Sequence, residues 1–364
     1  MEIKASMVKE LREMTGAGVM ACKNALVETD GDMDAAVEVL RKKGEATAVK
    51  KAGRIAAEGI VKTVVEGNRA VIVEVNSETD FVAKNEKFQT FVANIAEQIV
   101  ASDAADVEAL MGETWKLDSS KTVKDELVSQ IAVIGENMSI RRFERIVTDG
   151  TVASYIHAGG KIGVLVEADA QANDTVNTAL TNLAMQVAAM SPQYVCREEI
   201  SEDELAKMRE ITVDSALNDP ATLPKPVLMN LLDKAVKVWS AEDVAIYEEK
   251  KSNLNYLFNF LSKEALATVI EIAMGDKEEI CANKIFNGLV DGRVSKQLKE
   301  VCLLDQTFVM AADGKQTVKA YLEEVSKEVG ATVTLKKFIR FETGEGIEKK
   351  VDDFAAEVAA QAGM

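Results

Sequence analysis

One stretch combines residue types in a way that suggests a purpose beyond folding: Asn76-Ser77-Glu78-Thr79-Asp80-Phe81-Val82-Ala83-Lys84-Asn85. It joins a strand-like apolar run to a helical pattern. Thr79, Asp80, Phe81 and Val82 set a hydroxyl, a carboxylate, a phenyl ring and a branched aliphatic group side by side. Two readings fit. In one, Thr79 caps a helix and Phe81 or Val82 packs on a sheet. In the other, the corner presents ring and carboxylate to a partner, since a phenyl group can anchor an interface. The local sequence does not separate them.

Patterns for bond-making chemistry are missing. Gly159-Gly160-Lys161 lacks the Ser or Thr and the spacing of a phosphate loop and reads as a hairpin turn. Gly344-Glu345-Gly346 lacks a third glycine and follows a terminal strand, so it is no dinucleotide fingerprint. No G-x-S-x-G occurs. His157 is the only histidine and reads as a surface or interface residue, because acid–base schemes with a histidine pair are excluded. Cys22, Cys196, Cys281 and Cys302 are irregularly spaced, which suits reduced, partly buried thiols better than a zinc site. The expectation is a protein that is not an enzyme, with no cofactor and no metal.

The charge balance narrows the partners. With 43 Lys and Arg against 60 Asp and Glu, the net charge is −17. Phosphate binding rests on basic side chains, so direct nucleic-acid binding is not expected. Residues 1–54 are an exception, holding ten basic against nine acidic residues, which suggests a separate N-terminal module. Apolar runs such as Ala70-Val71-Ile72-Val73 fall far short of the roughly 18 residues of a membrane span. The charged start, MEIKASMVKELREM, has no signal core, so a cytoplasmic location and no membrane association are expected.

The elements that must position the corner follow from periodicity. Met7, Val8, Leu11 and Met14 have helical spacing, and Thr15-Gly16-Ala17-Gly18 interrupts it. A second helix is expected from Val19 to Val27. A third, capped by Asp32, carries Ala35, Ala36, Val39 and Leu40 inward. The lysine-rich GEATAVKKAGR reads as a linker. Beyond it the chain repeats itself. Gly59–Val65 and Ala70–Val75 form one hairpin around Gly67-Asn68, and Gly150–Ile156 and Ile162–Ala168 form another around Gly159-Gly160.

Each hairpin is followed by a helix, marked by Ile95–Ile99 and by Leu183–Val187, and by a third strand, Ile140–Phe143 and Leu335–Phe338. The fold class is therefore α+β: an N-terminal three-helix bundle, then two related subdomains, each a three-stranded antiparallel sheet with helices on one face. The second repeat needs many more residues to reach its third strand. Leu254, Leu257, Phe258, Leu261, Leu266, Val269, Ile270 and Ala273 make that insertion helical, and Pro220, Pro224 and Pro226 mark a bend. A long helical, coiled-coil-like arm is expected. The corresponding domains are 1–54, 55–147, 148–348 with an insertion at about 201–298, and a C-terminal helical module at 349–364. Only the first repeat carries an aromatic corner; its counterpart is Asp169-Ala170-Gln171-Ala172-Asn173.

These residues resemble the bacterial elongation factor Ts family. Leu11-Arg12-Glu13-Met14-Thr15-Gly16-Ala17-Gly18-Val19-Met20-Ala21-Cys22-Lys23-Asn24-Ala25-Leu26 is similar to its opening signature, and Glu74 through Ala83 to its second. Further matches are Ser154-Tyr155-Ile156-His157 with Gly163-Val164-Leu165-Val166, Asp291-Gly292-Arg293 with Leu303-Leu304-Asp305-Gln306, and Phe338 through Glu342 with Gly344 through Lys349. The resemblance implies a ubiquitin-associated-like N-terminal bundle and a partner, elongation factor Tu, met in its GDP-bound and nucleotide-free states. It implies guanine-nucleotide exchange, with Thr79, Asp80, Phe81 and Val82 dislodging the nucleotide's magnesium. It also implies partner contacts at Arg12, Val19, Met20, Lys23 and His157. Two departures stand out: Asp291 replaces the family's usual Glu, and the arm at about 214–283 is longer and matches poorly. A rival from another class is a non-exchanging adaptor or ribosome-docking protein that uses the bundle. Oligomeric state is left open.

Overall fold

The computed structural model describes residues 3–348. The C-terminal helix expected at 349–364 lies outside the described residues. Helices α1 (Ala5–Thr15), α2 (Val19–Glu28) and α3 (Met33–Lys51) form the N-terminal bundle. They close around Val8, Leu11, Cys22, Ala25, Leu26 and Ala36. The Asp32 carboxylate caps α3 by accepting from the Ala35 amide at 3.0 Å. Met14, expected on the inner stripe of α1, is exposed.

The lysine-rich segment is not a linker: α3 continues through it to Lys51. Its Glu, Ala and Lys residues are good helix formers. Its small residues form the contact stripe, with Gly44 buried against Val128 and Ala132 and Ala48 packed on the next core. Small side chains leave a weak hydrophobic signature, which is why periodicity did not show this face.

Strands β1 (Glu58–Glu66) and β2 (Arg69–Ser77) pair antiparallel across Gly67-Asn68. The chain continues through α4 (Asp80–Ala83), α5 (Glu86–Ala101), α6 (Val107–Gly112) and α7 (Val123–Ile134) to β3 (Met138–Val147), giving the sheet order β1-β2-β3. One face packs on α5 and α7. Val71, Val73, Val75 and Ile140 meet Phe88, Phe91, Val92, Ile95, Leu127 and Ile131 there.

The second repeat opens with β4 (Thr151–His157), β5 (Ile162–Asp169) and α8 (Asp174–Met190). The insertion then forms a compact body of its own, Pro192–Lys319. It contains α9 (Glu202–Leu217), α10 (Lys225–Ala235), α11 (Ala241–Lys250), α12 (Leu254–Leu257), α13 (Lys263–Gly275), α14 (Lys277–Cys281) and α15 (Lys284–Val301). It is helical, as the spacing indicated. The long helical arm expected there is built from several short helices: α10 to α14 share a core with α9 and α15 that includes Leu217, Leu231, Leu232, Leu257, Val269 and Phe286. Buried Asp243 ties the starts of α11 and α13, accepting from the Ser262 amide and hydroxyl at 2.9 Å each and from the Ser240 hydroxyl at 2.7 Å. The body's ends are stitched together. Gln193 and Tyr194 amides donate to the Val301 carbonyl, and Leu303 and Leu304 amides donate to Tyr194 and Val195.

The chain ends its described course with α16 (Val318–Val329) and β6 (Thr334–Glu342), which completes the sheet β4-β5-β6. The two sheets pack face to face. Val61, Ala70, Ile72 and Ile146 meet Leu165, Ile339 and Phe341. Sheet one is thus covered on both faces, and this explains why β2 reads as a nearly continuous apolar run instead of alternating.

Both sheets carry a bulge at the matching place. On β3 it lies opposite Glu74/Val75, and on β6 opposite Glu167/Ala168. Adjacent strand residues normally face opposite sides, but a bulge breaks that alternation. The first bulge therefore lets both Arg141 and Arg142 reach one carboxylate, Glu74, which is fully buried. Glu74 accepts from Arg142 Nε at 2.7 Å, Arg141 Nη1 at 2.9 Å, Asn76 Nδ2 at 3.1 Å and the Gly344 amide at 2.8 Å. Gly344 belongs to the turn after β6, so this cluster ties one sheet to the other. Its φ is +75°, and a Cβ there would lie 2.1 Å from the Ala57 carbonyl oxygen, so only glycine fits. The Arg142 guanidinium also lies 4.2 Å from the centre of the Phe341 ring.

Candidate functional site

The corner after β2 is held from three directions. Thr79 is the N-cap of α4, its hydroxyl accepting from the Val82 amide at 3.3 Å. The same hydroxyl donates to Glu136 Oε1 at 2.7 Å, and the Thr79 amide donates to Glu136 Oε2 at 3.0 Å. Glu78 reaches back across the same gap, accepting from the Asn137 amide at 2.5 Å, while Asn137 Nδ2 donates to the Arg54 carbonyl at 2.7 Å. Arg54 pairs with Glu78 at 3.4 Å. On the inner side Ala83 is buried and Val82 packs on the first-repeat core.

Phe81 stands apart from all of this, 82% exposed on the turn of α4. The structural reading therefore holds for Thr79, which caps, and for Val82, which packs, while Phe81 faces solvent. Beside the ring, Asp80 pairs with Lys84 at 2.6 Å. That hydrogen bond holds the Asp80 carboxyl below the usual carboxylate range, so it is ionised at neutral pH. The corner presents an apolar ring next to a fixed negative charge on a clamped backbone. The equivalent stretch of the second repeat, Asp169–Asn173, leads into α8 without any short helix, and Asn173 caps α8 directly.

The other expected residues lie elsewhere on the surface. Arg12 is exposed on α1. On α2, Cys22, Ala25 and Leu26 point into the bundle, while Val19, Met20, Lys23 and Val27 are exposed. This leaves α2 with an outward apolar stripe besides its core stripe. His157 is exposed at the end of β4, its Nδ1 lying 3.1 Å from the Tyr155 hydroxyl. Among the described residues, no hydrogen bond or ion pair joins Arg12, Val19, Met20, Lys23 or His157 to the Phe81 corner. Glu136, Asn137 and the Glu74 cluster were not read from sequence. Glu136 lies far from Thr79 along the chain, and no local pattern marks such a bond.

No group of three His, Cys, Asp or Glu side chains suited to a metal occurs among the described residues. None of their helices is long and apolar enough to cross a membrane.

Comparison with known proteins agrees with the motifs. Residues 78–345 match the family model described as elongation factor TS. Elongation factor Ts of Trichlorobacter lovleyi is 42% identical, with all of both chains covered. That of Clostridium novyi is 44% identical over 99% of this chain and 98% of its own, and that of Clostridioides difficile is 42% identical over the same shares. These matches extend along the whole chain, across the stretch near 214–283 where the motif resemblance was poor. The paired sheets, the N-terminal helices and these matches together establish that the chain belongs to the elongation factor Ts family of translation elongation factors.

Proposed function

We propose that the chain is a guanine-nucleotide exchange factor for elongation factor Tu, acting in the cytoplasm, with the Phe81 corner as its wedge. The observation that carries this reading is a bulky apolar ring left exposed on a backbone held by Glu136. The mechanism is linkage. A factor that binds the nucleotide-free partner more tightly than the GDP form weakens GDP by the same factor. A shift of about 10⁴ needs roughly 5.5 kcal/mol of differential binding. Burying the Phe81 ring between partner elements supplies about 1.5–3 kcal/mol of that. Displacing the magnesium that bridges the phosphates removes a further charge stabilisation from GDP. In this reading Arg12, Val19, Met20 and Lys23 dock on the nucleotide-binding domain and His157 on a β-barrel domain.

The test is stimulated release of fluorescent GDP from elongation factor Tu. Phe81→Ala should lower the stimulation by about 10- to 100-fold, the ring's burial converted at about 1.4 kcal/mol per tenfold. Asp80→Ala should also impair it. Full stimulation by both variants would sink the wedge. The exposed stripe of Val19, Met20 and Val27 favours one alternative, an adaptor that docks through α2 without exchanging nucleotide. That alternative predicts binding with no acceleration of GDP release.

A further inference from the structure

We propose that Glu136 is a positioning residue for the Phe81 corner, holding the ring in register for insertion; this rests on the exchange reading above. A helix of one turn does not hold itself, since helix nucleation is unfavourable and α4 spans only Asp80–Ala83. Its start depends on outside bonds. Both oxygens of Glu136 are committed to Thr79, one to the amide and one to the hydroxyl. The turn that carries Glu136 is itself braced, by the Lys51 ammonium on the Gly135 carbonyl, by Glu78 on the Asn137 amide and by Asn137 on the Arg54 carbonyl. Corner and turn thus grip each other in both directions.

The internal repeat supplies a control. Ile134-Gly135-Glu136-Asn137-Met138, leading into β3, corresponds to Val329-Gly330-Ala331-Thr332-Val333, leading into β6. The glycine is kept, but alanine stands where the carboxylate would be. The second repeat also lacks the aromatic corner. The bracket and the ring occur together in one repeat and are both absent from the other, as expected if the carboxylate serves the ring. A carboxylate needed only to start the third strand would have been needed twice.

The test measures stimulated GDP release from elongation factor Tu against factor concentration, with the full chain and Glu136→Ala, Glu136→Gln, Phe81→Ala and the Phe81→Ala/Glu136→Ala double variant. Loss of the charged acceptor in Glu136→Ala should lower the saturating rate about tenfold. Half-saturation should move by less than about twofold, because most of the docking surface is untouched. Glu136→Gln keeps one acceptor oxygen and should recover much of the rate. It also carries the test if the alanine variant does not fold. The double variant should release GDP no more slowly than Phe81→Ala, since Glu136 acts through the ring. Wild-type rates in both Glu136 variants alongside an impaired Phe81→Ala, or additive losses in the double variant, would overturn the positioning role. A wild-type rate in Phe81→Ala would overturn the exchange reading instead.

Discussion

Replacing Glu74 with alanine should lower the stability of the paired sheets more than any surface change. The carboxylate is fully buried and accepts four hydrogen bonds, from Asn76, Arg141, Arg142 and Gly344. Its removal takes one acceptor from each of two guanidinium groups, from the Asn76 side-chain amide and from the Gly344 backbone amide. Breaking a buried charge cluster on one side costs about 3–5 kcal/mol. At about 2–4 °C per kcal/mol for a body of this size, the midpoint should fall by roughly 10 °C. The chain has two tryptophans. Trp115 is buried beside Phe91 in the first-repeat core, whereas Trp239 lies in the helical body. Fluorescence in a Trp239→Phe background therefore follows the sheets alone.

Acid adds a second readout. Burial raises the Glu74 carboxyl pKa, but the hydrogen bonds from Gly344, Arg141, Arg142 and Asn76 outweigh it and leave it below the ordinary range. A group whose folded pKa is depressed contributes fully above its unfolded value, about 4.3 for glutamate, and loses that contribution as pH falls through the folded value. The gap between wild type and Glu74→Gln, which cannot titrate, should hold at pH 7 and narrow below about pH 4. A Trp115 midpoint in Glu74→Ala within about 1 kcal/mol of wild type, or a gap that does not narrow in acid, would refute the argument.

Two further outcomes follow from packing. Gly44→Ala should stabilise the bundle by about 0.5–1 kcal/mol in chemical denaturation, because the residue is helical and a Cβ would sit at ordinary contact distance, 3.5 Å from Ala132 Cβ. Asp243→Ala should destabilise the helical body by about 1–3 kcal/mol, read from Trp239 fluorescence in a Trp115→Phe background, because it strips the Ser262 amide of its acceptor.

How much of this was legible in the sequence depended on whether the governing interaction was local. The hairpins were, because the Gly67-Asn68 turn and the β-rich runs that flank it are written in a few adjacent residues. The cap by Asp32 was legible for the same reason. The apolar run of β2 identified a strand but not its second partner, since burial against a helix and burial against a sheet call for the same side chains. The extension of α3 was hidden because its contact stripe is Gly44 and Ala48, too small to register as hydrophobic. At the corner, Thr79, Asp80, Phe81 and Val82 were identified as a group, but their division between cap, core and surface depends on a carboxylate from the far side of α7. The bulge that brings Arg141 and Arg142 together has no sequence mark.

The stitched ends of the helical body bear on how the chain assembles as it is made. Strand β5 needs β6, but at about 5–20 residues per second the ribosome takes on the order of ten to thirty seconds to deliver it. Closing so long a loop would ordinarily cost entropy that grows with the logarithm of its length. Once the helical body has folded, the bonds of Gln193, Tyr194, Leu303 and Leu304 bring its entrance and exit together. The waiting strand then sees a tether roughly threefold shorter, which saves about 1 kcal/mol of closure entropy. A large insertion in the middle of a sheet is thereby made nearly invisible to the strand pairing it interrupts.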